Sequence, residues 1–353
     1  MNPADFISSD TMKMLAKMNA VTIQAQQHAF NKVEYCATEK CSNKKIQWCH
    51  VISESEQMSA ISEKGKVCWL PGKADKNMTF RPFWEEVSTK SALVFKGFCN
   101  TCDSSIFRKL DVPMLPSPEV FALLAYRAAC YSNWRALVDL EYQTSRPNFL
   151  QKMSDRDKGV LPPLKENRTE VHGPLITRAA LHQKQIEWVM HYMREVISNS
   201  NFGKIRSHSF DLKRRVPLRY SVMATFALNL RNTDEFISQI ECPPMPALFF
   251  HLLEFDGQQK LVLSWPEYVP EKHPKLWVKQ ILNWSKSGNL SDVLMRYFFL
   301  NNHGLVFNPK MPLSWDHEKV FFLSKQLADK NYFGRRPFPT PLFKEPLFNE
   351  IVI

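Results

Sequence analysis

Two widely separated pairs of cysteines limit most strongly how this chain can fold. Cys36 and Cys41 flank the short turn CATEKC, and Cys99 and Cys102 form Cys-x-x-Cys in GFCNTCDSSIFRKL. Four thiolates, two from a turn and two from the start of a helix, suit a soft divalent ion in tetrahedral geometry. The spacing therefore predicts one structural Zn²⁺ ion bound by these four side chains.

The surroundings of the second pair support this prediction and leave two alternatives open. The residues after Cys102 are typical of a helix that Asp103 or Ser104 can cap, and a helix N-terminus lowers the pKa of nearby thiols. The first pair is wider than Cys-x-x-Cys, however, so His50 or Cys49 can replace one ligand. The other alternative is four unrelated buried thiols that bind no metal.

The remaining cysteines show no ligand pattern. Cys68, Cys130 and Cys242 lack close partners and are interpreted as ordinary thiols. The chain has no uncharged apolar run long enough to cross a bilayer, and its first residues lack the basic-then-apolar order of a signal peptide. We therefore expect a cytoplasmic protein without a membrane partner, whose thiols bind metal or stay reduced rather than form disulfides.

A histidine lies between the two cysteine pairs, in the strand-like run IQWCHVISES. Here the chain resembles the HNH nuclease superfamily, whose members fold a β-hairpin and a helix around a metal, often with cysteine pairs that support the hairpin. The stretch His-Val-Ile-Ser, which begins at His50, is similar to the family's His-Ile-Ile-Pro. The stretch Cys-x-x-Cys-Asp, which ends at Asp103, is similar to its Cys-x-x-Cys-Asn. The resemblance covers about residues 36–107.

This resemblance implies a treble-clef or ββα-metal finger in a metal-dependent endonuclease that hydrolyses phosphodiester bonds of nucleic acid. In it, His50 is the general base that takes a proton from water. Asp103, where the family has Asn or His, helps to hold a catalytic Mg²⁺ or Mn²⁺ ion. The resemblance also suggests a role in bacterial antiphage defence. The alternative is a non-catalytic module in which zinc organises a nucleic-acid or protein contact, with His50 as a zinc ligand or a half-buried histidine.

The charge of the chain favours polyanionic partners, since 46 basic and 35 acidic residues give a formal charge of +11. The segment GKIRSHSFDLKRRVPLRY concentrates this charge, and alternation along a strand would place several cations on one face. Six of its side chains are predicted to contact nucleic-acid phosphates, with DNA favoured: Lys204, Arg206, Lys213, Arg214, Arg215 and Arg219. The alternative is a solvated edge strand that charge protects from aggregation.

The hydrophobic pattern predicts an α+β fold and divides the chain into four parts. Residues 1–30 form an N-terminal helix, and residues 31–112 form the zinc-binding HNH-like domain. Residues 113–202 are helical, with a Pro-rich loop. Residues 203–353 form an α+β C-terminal domain.

Three local features refine this division. Prolines and charges over residues 144–174 predict the surface loop. The apolar face from Ile186 to Ile197 predicts a long helix over 178–199. Asp256-Gly257 predicts a tight turn that joins two strands into a hairpin.

Overall fold

A computed structural model describes residues 9–43, 46–69, 84–156, 168–225, 246–288, 290–300, 302–311 and 351–352. These residues form a mixed α+β protein with two compact units. Residues 9–34, 133–156 and 168–184 belong to the first unit, and the other described residues belong to the second. Both units are assembled from segments that are far apart in the sequence.

The helices within these ranges differ greatly in length. They are α1 Ser9–Lys32, α2 Asn100–Phe107, α3 Pro118–Arg156, α4 Arg168–Ser198, α5 Lys272–Lys286 and α6 Leu290–Leu300. Short 3₁₀ or π turns occur at Glu54–Met58, Ser59–Ile61, Thr89–Ser91, Arg108–Leu110, Phe202–Lys204 and Asn302–Gly304. None of the helices that the structure describes is long and apolar enough to span a bilayer.

The first unit is held by contacts between α1 and α3. Val21 and Leu150 are buried together in a small apolar cluster. The indole N–H of Trp134 donates to the carbonyl oxygen of Val33 at 2.9 Å, and the same ring meets Phe30 edge-on at 4.7 Å between centroids. These contacts fix the end of α1, directly before the first cysteine pair.

The strands form two antiparallel sheets. Their bounds are β1 Ile46–His50, β2 Lys66–Trp69, β3 Glu85–Ser88, β4 Val94–Cys99, β5 Ile205–Leu212, β6 Leu218–Thr225, β7 Ala247–Phe255, β8 Gln258–Pro266, β9 Leu305–Phe307 and β10 Ile351–Val352. Strands β1 and β4 pair with each other, and the other eight form one sheet in the order β10-β5-β8-β7-β6-β9-β2-β3. The sheet therefore includes β2 and β3, which lie between the two cysteine pairs in sequence.

The hairpin predicted at Asp256-Gly257 is confirmed. These two residues have φ values of 45° and 74°, and Phe255 pairs with Gln258 across the turn. Positive φ at both central residues matches a type I′ turn, whose twist suits the right-handed twist of the flanking strands. The turn thereby sets the register of β7 against β8, at the centre of the large sheet.

One face of the large sheet carries the main core and packs against α5 and α6. Phe250 of β7 meets Trp277 of α5 at 5.3 Å between ring centroids, and Tyr220 of β6 stacks on Phe298 of α6 at 4.1 Å. Full burial of one such side chain stabilises the fold by about 1.5–3 kcal/mol. This packing places α5 beside the strands β5 and β8.

The loop predicted over 144–174 is wrong for the residues that the structure describes there. Helix α3 continues through Pro147 to Arg156, and α4 already begins at Arg168 and includes Pro174. A proline removes one backbone donor and disfavours a helix interior, but it does not forbid a helix whose other turns are intact. Residues 157–167 lie outside the described part of the chain.

Candidate metal centre

Four cysteine side chains meet in the second unit. The Sγ atoms of Cys36, Cys41, Cys99 and Cys102 all lie within 4.8 Å of one another. Cys41 Sγ lies 3.7 Å from the Sγ atoms of both Cys99 and Cys102, which is too far for a disulfide, and all four thiols are free. Within the described ranges, no other group of three or more His, Cys, Asp or Glu side chains is arranged to hold a metal ion.

The first cysteine pair is held in place by main-chain hydrogen bonds. The N–H of Ala37 donates to the carbonyl oxygen of Gly97 in β4 at 2.8 Å. The chain then reverses at Lys40, whose φ is 54°, and the N–H of Cys41 donates to the carbonyl oxygen of Thr38 at 3.4 Å. The turn that carries the first pair is thus attached to the strand that leads to the second pair.

The second pair lies where β4 runs directly into α2. Cys99 ends the strand and is the N-cap residue of the helix, and Cys102 lies in the first helical turn. The hydrogen bond from the backbone N–H of Cys102 lowers the pKa of the Cys99 thiol to about 7. Burial raises the pKa of the Cys102 thiol to about 12. A bound cation would favour ionisation of all four thiols, since thiolates are the ligating form.

The predicted helix cap is wrong. Helix α2 begins at Asn100, so Asp103 and Ser104 lie inside the first turns rather than at the N-cap. The N-cap residue is Cys99, and its side chain makes no capping hydrogen bond. The reason is that the strand continues into the helix without a linker, which places the start of the helix before the polar residues.

Asp103 instead pairs with a buried arginine of α3. Its Oδ1 lies 3.3 Å from Nη2 of Arg127, whose side chain is 3% exposed. The same guanidinium reaches Asp111 at 3.7 Å and lies over the ring of Phe107 at 4.4 Å. Asp103 therefore supplies counter-charge to a buried cation, a role that its position in sequence did not predict.

His50 ends β1, and the main chain orients its ring. Nε2 lies 3.2 Å from the carbonyl oxygen of Thr89, whose hydroxyl donates to Glu54 at 2.9 Å. Because a carbonyl oxygen only accepts, this contact assigns the proton of a neutral ring to Nε2. Nδ1 is then the basic nitrogen of His50.

The cysteine group contains neither of the two alternative ligands, His50 and Cys49. The Cys49 thiol is buried and donates to the carbonyl oxygen of Phe98 at 3.7 Å. Burial, and after it the nearby carboxylate of Asp103, raise the pKa of Cys49 to about 12. The four cysteines are therefore the residues that the structure brings together as a group that could hold a metal ion, and Cys242 lies outside the described residues.

The six cations predicted to contact phosphate do not share one strand. Lys204 ends a 3₁₀ turn, Arg206 lies on β5, and Arg219 lies on β6. Lys213, Arg214 and Arg215 lie in the connection between these two strands. The expected single strand is wrong, because the chain turns between Leu212 and Leu218.

Ion pairs occupy several of these cations. Lys204 lies 3.5 Å from Glu267, and Arg206 contacts Glu271. These two pairs are surface-exposed, and each such pair adds about 0–1 kcal/mol. A nucleic-acid phosphate can therefore compete with the glutamates for both cations.

Arg219 differs from the other five because it is buried. It is 3% exposed, lies 2.9 Å from Glu254 and donates to the carbonyl oxygen of Leu218 at 3.0 Å. Burial lowers the pKa of its guanidinium to about 10, although Glu254 acts in the opposite direction. Arg215 reaches the same carboxylate from the surface at 3.4 Å. Arg219 is therefore part of the core and is not placed to contact a phosphate.

A second basic element was not identified from the sequence. Helix α5 carries Lys275, Lys279 and Lys286 at spacings that place them near one face, and the helical pattern of the sequence contained this signal.

Comparisons of the chain with protein-family models, with curated proteins and with solved structures found no match.

Proposed function

We propose that the cysteine group holds one structural Zn²⁺ ion. A tetrahedral zinc ion with Zn–S bonds of about 2.3 Å places its sulfurs about 3.8 Å apart. The separations of 3.7 Å from Cys41 to Cys99 and to Cys102 are close to this value. Four thiolates favour a soft ion and leave no open position for water, so this ion stabilises the fold and takes no part in chemistry.

The order of elements around the ion supports a treble-clef or ββα-metal finger. A turn carries the first cysteine pair, β1 and β4 form a two-stranded antiparallel sheet, and the second pair lies where β4 runs into α2. In this sheet, Ile46 pairs with Cys99 and His50 pairs with Val94. The proposed zinc ligand Cys99 and His50 therefore lie in the same pair of strands.

On this finger we propose an HNH-like endonuclease, with His50 as its general base. The observation that carries the proposal is the contact of Nε2 with the carbonyl oxygen of Thr89, 3.2 Å away, because it fixes the ring and leaves Nδ1 to accept a proton from water. A positioned general base contributes about 10²–10⁴-fold to the rate. The hydroxide formed in this way attacks the scissile phosphorus, the bond from phosphorus to one ester oxygen of the sugar breaks, and the departing oxygen takes up a proton from water.

The resemblance also implies a Mg²⁺ or Mn²⁺ ion at Asp103. Magnesium sites commonly use one or two carboxylates together with waters and substrate phosphates. The contact of Asp103 with Arg127 uses Oδ1, at 3.3 Å, and leaves Oδ2 as a possible ligand atom. The donor chemistry thus fits an ion held by Asp103 and by substrate, and such an ion would offset negative charge on the phosphate.

A plasmid-nicking assay tests the chemistry, with added Mg²⁺ or Mn²⁺. The variant His50→Ala should lower turnover by about 10²–10⁴-fold and keep its zinc. His28→Ala is the matched control, because the side chain of His28 is 46% exposed and lies in the first unit. Equal cleavage by wild type and His50→Ala would refute the assignment of the base. Loss of zinc in His50→Ala would make the residue structural.

A second candidate function is a zinc-organised module that binds nucleic acid without cutting it. The observation that favours it is the pair of Asp103 with buried Arg127, which already neutralises the proposed metal ligand. Such a module should bind DNA or RNA and leave both intact at every Mg²⁺ or Mn²⁺ concentration. Cleavage that is lost in His50→Ala and retained in His28→Ala would exclude this candidate.

A further inference from the structure

A basic groove lies in the second unit between the edge of the large sheet and α5, far from the cysteine group in sequence. Its volume is about 590 Å³. Four cations and two aromatic rings define it: Arg206, His208, Trp265, Lys275, Lys279 and Lys286. We call these six residues the α5 groove.

The cations of the α5 groove outnumber the acidic groups that contact them. Glu271 pairs with Arg206 and, at 2.6 Å, with Lys275. In the part of the chain that the structure describes, Lys279 and Lys286 have no acidic partner. Among the described residues, the positive charge of the groove is therefore only partly compensated, and such a charge attracts a polyanion.

The two aromatic rings of the groove carry polar atoms that lack hydrogen-bond partners. Nε1 of Trp265 and Nε2 of His208 are shielded from solvent and bond to no described group. Trp265 on β8 pairs with Arg206 on β5, so the indole lies directly beside a cation. Native proteins leave few buried polar atoms unpaired. An acceptor on a bound ligand would supply the partner that the indole N–H of Trp265 lacks.

The spacing of the lysines indicates the length of the ligand. From Lys275 to Lys286 the helix rises about 16 Å, at 1.5 Å per residue. A row of this length suits a chain of phosphates better than a single phosphate group. Ring systems beside such a row are typical of proteins that bind single strands, since unpaired bases expose their faces and edges.

We propose that the α5 groove binds single-stranded nucleic acid. Lys279 and Lys286 contact phosphates of the strand, with Lys275 and Arg206 exchanging Glu271 for phosphate. The indole N–H of Trp265 donates to the strand. This inference rests on the proposed function only in taking nucleic acid as the partner, and it gives the protein a strand-binding surface that needs no catalysis.

The test is the binding of a fluorescent 20-nucleotide oligothymidine to the full chain, followed by anisotropy without added divalent cations. The double variant Lys279→Gln/Lys286→Gln should bind about tenfold more weakly. Its slope of log K against log salt should fall by about 1.4, since each phosphate contact with a single strand contributes about 0.7. The matched control is Lys66→Gln/Lys310→Gln, which removes the same charge from two lysines outside the groove, 59% and 68% exposed, and should change affinity less than twofold.

Further probes test the class of ligand. A duplex of the same sequence and vesicles containing one-third phosphatidylserine should bind at least tenfold more weakly than the oligothymidine. Trp265→Phe keeps an aromatic ring and removes the N–H donor, so it should weaken binding about threefold and leave the salt slope unchanged. The thermal unfolding midpoint of each variant, compared with that of the wild type, tests whether its fold is intact.

Four results would overturn the proposal. In the first, the wild type does not bind the oligothymidine at 50 mM salt; in the second, the groove variant keeps the affinity and the salt slope of the wild type. In the third, the control variant binds as weakly as the groove variant. In the fourth, the protein prefers the duplex or the vesicles to the oligothymidine. Cleavage does not enter this measurement. The groove can therefore fail while the His50 assay succeeds, and the reverse is equally possible.

Discussion

The ion pair between Asp103 and Arg127 should contribute measurably to stability, and Asp103→Asn tests it with little change of shape. Arg127 is buried, its Nε bonds to no residue that the structure describes, and Nη2 lies 3.3 Å from Asp103. Removal of one partner from a fully buried pair costs about 3–5 kcal/mol. Here Asp103 is 23% exposed, and Asp111, 44% exposed and 3.7 Å away, remains as a second counter-charge. We therefore expect Asp103→Asn to lower the free energy of unfolding by about 2 kcal/mol.

A double-mutant cycle in urea isolates this pair. Arg127→Met replaces the buried cation by an apolar chain of similar length, and it leaves Asp103 partly solvated, so it should cost less than Asp103→Asn. The double variant should be more stable than the sum of the single costs predicts, with a coupling of about 1–2 kcal/mol. Zinc content should be unchanged in all variants. Additive costs, or full stability of Asp103→Asn, would refute the reasoning.

Two further predictions concern the metal and a buried histidine. Elemental analysis of the purified protein should find about one zinc ion per chain. The variant Cys99→Ser should lose this zinc and destabilise the finger, since structural zinc contributes on the order of 10 kcal/mol to small fingers. Full zinc retention by Cys99→Ser would contradict the assignment. Burial lowers the pKa of His251 to about 3, so the unfolded chain, with a pKa of about 6.5, binds a proton that the native state excludes. Stability should therefore fall as the pH drops below about 6.5, by about 1.4 kcal/mol per unit from this group. Urea unfolding at pH 7 and 5.5 should show a smaller loss in His251→Gln than in wild type, and equal losses would contradict the prediction.

The sequence alone was sufficient for features whose determinants are local. The spacing of the cysteines predicted the group formed by Cys36, Cys41, Cys99 and Cys102. The dipeptide Asp256-Gly257 predicted a hairpin, because positive φ at two successive residues is accessible to few residue pairs. The position of α4 was predicted from its apolar face, although its first turns were mistaken for a loop. In the hairpin turn, the helix and each cysteine pair, residues close in sequence set the backbone conformation, whereas the two cysteine pairs, with Cys41 and Cys99 58 residues apart, meet through the tertiary fold.

The tertiary structure decided the role of the charged residues. Six cations in one segment looked equivalent, yet packing of the sheet buried Arg219 against Glu254 and left Arg214 exposed. Asp103 was interpreted as a cap or a metal ligand, and α3 brought Arg127 to it. The α5 groove likewise joins β5, β8 and a later helix. A charge acquires its role from the burial and the counter-charges around it, and both are set by segments that meet only in the folded chain.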